Sequence, residues 1–561
     1  MAYNLIEEAW IPIRRSSGRV ERIAPWQIAE AADPPLRIES PRPDFDAALL
    51  EFLIGLVQTV FTPKDSTEWE EIYEAGCSPE ALREKMLTER DAFYLDGDGP
   101  RFMQDKSVVD DPDFDEMQDL VSLADLFVDR EKGDKKLNEE PKMFCKAIGP
   151  LVMNRPSSAM GLIALQYFAP GGGAGNAASS RGISPMSVTV EPRGGRASLF
   201  RTVWANQLTA SSLELIGAGR GNERRGPFAW MESRTSHERV EDVDPSECDP
   251  RIVWWSMPRR VWIEFEPASG RLCDVTREPD SVVGVRVRKR PYGLRFGGLR
   301  HPLSGYMKTK DGRLAPWPTP PEGLSFRDWP QAVYSSEKTS APMVIDLIAR
   351  DERDRSLRPG NSSDDYGVRI FGVRRPEQMK TTCAAGVSWP LLHGPIDSRD
   401  AVAQFARQLT HAAELVHRRI KKALERAWTT ESLQGKEARI PGDLNARIVP
   451  MMDSLTVTVF FGLVRRREIQ AQDLSLPDVD SLRREWVQTL LSAAQIVFDD
   501  LAPMCLDEAT RDLGRVVRER RDLVRSIQTA NGELARGLGL PSRGGPGARV
   551  GRSPKRKEPT P

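Results

Sequence analysis

Met160-Gly161-Leu162-Ile163-Ala164-Leu165-Gln166-Tyr167-Phe168 runs straight into Ala169-Pro170-Gly171-Gly172-Gly173-Ala174-Gly175-Asn176, and the segment continues to Arg181-Gly182. The first half reads as a helix. The second half sets four glycines in five positions behind a proline. Such a backbone turns through positive φ and carries no side chains, so its N–H groups can approach a flat or anionic surface. A phosphate and a narrow nucleic-acid groove are the surfaces that fit; a solvent-exposed connecting loop is the plain alternative. The order of elements rules out the usual phosphate motifs. A P-loop needs Lys-Ser/Thr after its last glycine, where Asn176-Ala177-Ala178 stands. A dinucleotide fingerprint needs a strand before the glycines and a helix after them. A second cluster, Gly217-Ala218-Gly219-Arg220-Gly221-Asn222, reads as an Arg-rich loop.

Outward from this segment the chain is irregular. Trp10-Ile11-Pro12-Ile13 and the turn Ser17-Gly18-Arg19 predict short strands. Leu49, Phe52, Leu53, Leu56, Val57 and Val60 predict a buried helix over 46–60 that ends at Thr62-Pro63. From about 95 to 395 the chain is rich in Gly and Pro, with β-prone runs at Ser187-Val188-Thr189-Val190, Val253-Trp254-Trp255 and Val261-Trp262-Ile263-Glu264-Phe265. Pro316-Trp317-Pro318-Thr319-Pro320-Pro321-Glu322-Gly323 reads as a stiff connector.

The character changes near Pro395. Asp397 or Ser398 is a good N-cap for a stripe of Val402, Phe405, Leu409, Ala412, Val416, Ile420 and Ala423. Three more stripes follow: Leu444 to Leu463 with Pro450 inside, Leu482 to Val497, and Leu513 to Ile527. The fold class expected is α+β: a large irregular mixed α/β N-terminal domain (1–394) followed by a C-terminal four-helix bundle (395–535). A basic tail (536–561) is too rich in Gly, Pro, Arg and Lys to bury a core. The first and fourth helices carry basic runs, at Arg418, Arg419, Lys421 and Lys422 and from Arg511 to Arg525, which taken singly read as solvated faces.

Composition narrows the function. The 561 residues carry 80 basic and 81 acidic side chains, a net charge of -1, so any nucleic-acid contact comes from local patches. No apolar run of membrane-spanning length and no secretory leader are expected. Six scattered cysteines without a CxxC pair fit a reducing cytoplasm and argue against zinc or disulfides. The five histidines are isolated, and no HExxH or nucleophile elbow is present.

Several segments, in order, resemble the large subunit of the type I-E CRISPR Cascade complex, the CasA family. They are Asn4-Leu5-Ile6 with Trp10-Ile11-Pro12-Ile13, Ser40-Pro41-Arg42-Pro43-Asp44, Thr62-Pro63-Lys64-Asp65, Phe102-Met103-Gln104-Asp105-Lys106, Leu126-Phe127-Val128-Asp129, and Gln166 through Gly175. The resemblance spans nearly the whole chain except the tail. It implies a non-catalytic subunit that reads a protospacer-adjacent motif (PAM) in duplex DNA, helps open the duplex, and recruits a separate helicase-nuclease. Implied partners are the CRISPR guide RNA, double-stranded target DNA, the backbone and small Cascade subunits and the helicase-nuclease. No cofactor, metal or membrane is implied.

The resemblance also assigns residues. Gly171, Gly172, Gly173, Gly175 and Asn176 would press against the minor groove, which distinguishes chiefly A·T from G·C. A lysine in Val285-Arg286-Val287-Arg288-Lys289-Arg290 would reach into that groove; Lys289 is the direct type match and Arg288 comes next. Strand alternation puts Val283, Val285, Val287 and Lys289 on one face. Glu377, Gln378 and Met379 would form a wedge beneath the first base pair beyond the PAM, with Glu377 a carboxylate where a neutral amide is expected. Lys308 and Lys310 would contact DNA backbone. Phe127 and Val128 would contact the 5′ end of the guide RNA and a backbone subunit; a core phenylalanine is the alternative for Phe127. Some family members carry paired cysteines able to hold zinc. Here Asn154 and Ser157 stand at those positions and Cys273 has no partner nearby in sequence, so no zinc is expected. The rival readings are a protein-only scaffold and, further off, a metal-dependent nuclease.

Overall fold

The computed structural model describes residues 2–129, 151–168, 181–182, 186–217, 225–232, 241–295, 297–320, 323–350, 366–374, 383–392, 399–428, 444–470, 478–502, 513–528 and 532–540. The chain divides into two compact units. One comprises 1–324 and 328–393, the other 325–327 and 394–561.

The first unit is organised around the helix Pro43–Val60. Pro43 pre-sets φ at its first position, and Asp44 and Asp46 complement the positive end of the helix dipole. Phe45, Leu49, Phe52, Leu53 and Leu56 are fully buried. Phe52 lies edge-on to Trp10 at 5.4 Å, Phe102 at 5.8 Å and Trp255 at 6.0 Å between ring centroids. Burying side chains of this size stabilises by about 1.5–3 kcal/mol each. Trp255 comes from the run expected to be a strand. Instead, Pro250–Trp254 forms a 3-10 turn capped by the Asp249 side chain. The aromatic cluster rather than a ladder takes up its apolar residues.

Small sheets surround this helix. Ile11–Arg15 pairs with Val20–Ile23 and Pro35–Ile38, both antiparallel. Tyr366–Arg374 lies between Met186–Pro192 and Cys383–Pro390. Tyr306–Lys308 lies between Leu314–Pro316 and Thr339–Ser340, so the expected connector begins as a strand. The long strand Val282–Arg290 pairs with Arg260–Pro267 on one edge and with Leu120–Ser122 and Met153–Asn154 on the other.

The long strand does not alternate as expected. Arg286 faces Glu264 and Gly284 faces Phe265, leaving Val285 without a counterpart. This bulge puts Val283, opposite Glu266, on the other face from Val287, opposite Ile263; both valines are buried, and Val285 is half-buried. Gly284 permits the close approach of the helix Arg155–Phe168: a Cβ there would sit 3.0 Å from Ser158 Oγ and 3.2 Å from Ile263 Cγ2.

The second unit contains the helices Arg399–Trp428, Leu444–Gln470, Val479–Leu501 and Leu513–Gln528, followed by the short Glu533–Gly537. Leu538 is fully buried, so packing runs past the expected start of the tail; residues 541–561 lie outside the described set. Ser325–Arg327 belong to this unit. Phe326 inserts against Phe460 at 4.8 Å and Trp486 at 6.1 Å. Leu444–Gln470 is long and apolar enough, by length and composition, to cross a membrane, with a mean hydropathy of 1.5 over its most apolar window, a test that a core helix also passes. In the structure Ile448, Met452, Phe460 and Leu463 of this helix are buried.

Candidate nucleic-acid interface

The glycines Gly171, Gly172, Gly173 and Gly175, and Asn176, lie outside the described residues, but both flanks of the segment are described. The helix Arg155–Phe168 delivers it. Gln166, two residues from the helix end and fully buried, donates to the carbonyls of Met103 (3.1 Å) and Arg259 (3.0 Å) and accepts from the Arg259 N–H at 3.1 Å. Phe168, its last residue, packs on Phe371 with ring centroids 4.9 Å apart. Arg181, on the far flank, lies over the Phe168 ring at 5.2 Å.

Lys289 stands beside this helix. It lines a small crevice with Asp125, Leu126, Leu165 and Val287, together with Arg259 and Val261. Its Nζ is 3.7 Å from Asp125 Oδ2, and its side chain keeps 27% of its exposure. Arg288 points to the other face, where its Nε donates to Glu264 Oε1 at 2.8 Å and its guanidinium covers Phe114 at 4.7 Å. Arg290 is tied to Asp111 and Asp119. Burial works to raise the Asp111 carboxyl, but the Asp113 N–H and Arg290 outweigh it and hold it below the usual carboxylate range.

Leu126-Phe127-Val128-Asp129 adjoins the same crevice. Phe127 and Val128 are both buried in this chain. Arg42 stacks on Phe127 at 4.4 Å and pairs with Asp129 at 2.8 Å, so Ser40-Pro41-Arg42-Pro43 and Leu126 to Asp129 meet in this fold. Glu377, Gln378 and Met379 fall in the connection between Tyr366–Arg374 and Cys383–Pro390, outside the described residues; the two strands are antiparallel neighbours as a hairpin requires. Lys308 and Lys310 are exposed at a separate hairpin, with Lys338 on the adjacent chain: the Lys308 N–H donates to the Lys338 carbonyl at 2.9 Å.

Cys273 is a buried free thiol set among hydrogen-bonding side chains. Its thiol lies 3.3 Å from Ser157 Oγ, and Asn154 Nδ2 donates to Thr276 Oγ1 at 3.4 Å. Burial works to raise this thiol, but hydrogen bonds from Ser157, Thr276 and the Asn154 backbone outweigh it and lower it. Among the described residues no group of three His, Cys, Asp or Glu is arranged to hold a metal ion.

The family model for CRISPR-associated protein Cse1 matches residues 4–497. The chain belongs to the Cse1 family. These are the CasA proteins to which the sequence motifs point. CasA (Cse1) of Thermus thermophilus is 17% identical, with 96% of this chain and 99% of that one covered and a TM-score of 0.61. Cse1 of Thermobifida fusca is 15% identical, with 96% and 98% covered and a TM-score of 0.65. A chain of a structure described as "CRISPR RNA-guided surveillance complex" is 16% identical, with 94% and 99% covered and a TM-score of 0.62. No curated protein matches the chain. Two residues of this Cse1 chain escaped the sequence reading, Glu51 and Arg181. A carboxylate amid Leu49-Leu50-Glu51-Phe52-Leu53 was the available signal, since an acid in an apolar helix face demands a partner.

Proposed function

We propose that the chain is the large subunit of a type I-E Cascade surveillance complex, reading the PAM through the DNA minor groove and promoting duplex opening. The observation that supports this most is a convergence at one helix end. The helix that delivers the glycine segment shares a crevice with Lys289 through Leu165. Through Phe168 it also packs on the strand that leads to Gln378. A bare backbone, a cation and a polar hairpin tip are the parts needed to sense a groove and part the first base pair.

Lys289 is the better cation for the groove, because it lines the crevice beside the helix that delivers the glycine segment, whereas Arg288 lies on the other face of the strand, toward Glu264 and Phe114. Gln378, flanked by Glu377 and Met379, supplies the wedge, and the cost of unstacking is offset by guide–target pairing behind it. Lys308 and Lys310 contact phosphates. The loop at Phe127 and Val128 meets the guide RNA 5′ end and a backbone subunit through its outer surface. The subunit cuts nothing, works in the cytoplasm, and presents the surface on which a helicase-nuclease docks.

A PAM-library binding assay on reconstituted complex tests the reading. Gly173→Asp is expected to abolish sequence-selective binding by placing a charged side chain in the groove, and Gln378→Ala to weaken duplex opening. Unchanged selectivity in the first and unchanged opening in the second would overturn the assignment.

A further inference from the structure

We propose that Glu51 and Arg181 form a buried clasp that fixes both flanks of the glycine segment, which makes Glu51 a positioning residue for duplex selection. This rests on the reading that the glycine segment selects the duplex.

Glu51 lies midway along Pro43–Val60, where its side chain is only 1% exposed. A lone carboxylate there is costly to bury, so its partners decide whether it is tolerated. Arg181 Nη2 donates to it at 2.9 Å, the Ser187 hydroxyl donates at 3.2 Å, and His301 Nε2 lies 3.3 Å away. Burial works to raise the Glu51 carboxyl, but Arg181 and His301 outweigh it and hold it low. Burial and the charge of Arg181 lower the His301 imidazole against the opposing pull of Glu51. The clasp is therefore built of the Glu51 carboxyl with the Arg181 guanidinium, the Ser187 hydroxyl and the His301 imidazole, each within 3.3 Å of Glu51.

Arg181 also reaches back across the segment. The same Nη2 donates to the Tyr167 carbonyl at 3.5 Å, and the guanidinium covers the Phe168 ring. Residues 167 and 168 are where the chain enters the segment, and 181 is where it leaves. The exit flank is thus held directly, and the entry flank through Arg181, to one carboxylate on the buried helix Pro43–Val60. Gly182 follows with φ of +90°, a conformation that favours glycine, so the chain turns as soon as Arg181 is placed.

A buried ion pair of this kind adds little net stability over well-packed apolar residues of similar size, whereas removing one partner strands the other. That asymmetry separates positioning from mere support. The reconstituted complex is compared as parent, Glu51→Gln, the double variant Glu51→Met with Arg181→Met, and Gly173→Asp. Two readouts are taken: the ratio of affinities for duplexes with favoured and disfavoured PAM, and affinity for a single-stranded target complementary to the guide, which needs no PAM reading. The expected result is at least a tenfold fall in the duplex ratio for both clasp variants, with single-strand binding within twofold of the parent. If Glu51→Gln fails to fold, the double variant decides. A folded double variant with the parent ratio, while Gly173→Asp loses selectivity, overturns the clasp and leaves the reading of the segment standing. A parent ratio in Gly173→Asp as well overturns both.

Discussion

Phe168 and Phe371 meet with ring centroids 4.9 Å apart and planes inclined at 57°. The contact ties the end of the glycine-segment helix to the strand that precedes the wedge residues, so two parts of the proposed interface share one aromatic pair. Phe371→Ala should cost about 3–5 kcal/mol by opening a cavity. The check is a shift of the urea midpoint of the first unfolding transition. A shift under one fifth of that expectation would mean that the pair is not held as described.

Lys289 and Arg288 are adjacent in sequence and opposite in role. Lys289→Ala is expected to reduce PAM discrimination tenfold or more with little change in melting temperature. Arg288→Ala removes a partly exposed ion pair worth about 0.5–1 kcal/mol and should leave discrimination closer to the parent. Duplex binding and thermal melting of the two variants, measured side by side, test the ranking.

Gly293 permits a close approach between backbones just past this strand. A Cβ there would lie 2.0 Å from the Pro258 carbonyl oxygen, and the strand's end would have to move. Gly293→Ala should destabilise the chain by about 3 kcal/mol, the upper part of the range for overpacking. A melting temperature within a degree of the parent would contradict it.

Asp453 gives the helical unit a pH signature. Burial pushes its carboxyl up to about 6, opposed by the Arg327 charge and the Ser325 hydroxyl. A raised folded-state pKa means that the folded state holds the proton more tightly. The stabilisation is fully present below about pH 4 and is lost as pH rises through about 6. Its size is on the order of 2–3 kcal/mol. Asp453→Asn should flatten stability between pH 4 and 7, as followed by chemical denaturation of the full chain.

Asn154 and Ser157, where a strand meets a helix, lie beside Cys273 and Thr276, and two residues separate the members of each pair, the spacing of a four-thiolate zinc site. Replacing Asn154, Ser157 and Thr276 by Cys should create a site for one Zn²⁺ per chain and raise the melting temperature when the metal is added. Metal analysis of the purified variant, with the parent alongside, decides.

Much of this architecture could be read from the residues, and the misreadings have local causes. The buried helix at Pro43–Val60 and the later amphipathic helices were legible because their apolar periodicity is strong over many turns. The run at Val253-Trp254-Trp255 was not, since large apolar residues suit a strand and an aromatic cluster equally well. Val285 spoiled the alternation around Lys289, because a bulge depends on register with a partner strand that single-strand patterning does not contain. Lys289, named by type, lies in the crevice lined by Leu165 of the helix that delivers the glycine segment. Arg181 and Glu51, 130 residues apart, left only the trace of an acid in an apolar stripe. The hydrogen bonds around Cys273 left no trace in the sequence, because Ser, Asn and Thr make no pattern by themselves.

Phe326 has a practical consequence for dissecting the protein. The polypeptide crosses between its two units at 324/325, at 327/328 and again at 393/394, so no single cut separates them. A fragment begun at 394 would leave Phe460 and Trp486 facing a hole the size of a phenylalanine, and a fragment ended there would carry an orphaned plug. Studies of either half in isolation should graft Ser325-Phe326-Arg327 onto the helical piece or supply it as a peptide in trans.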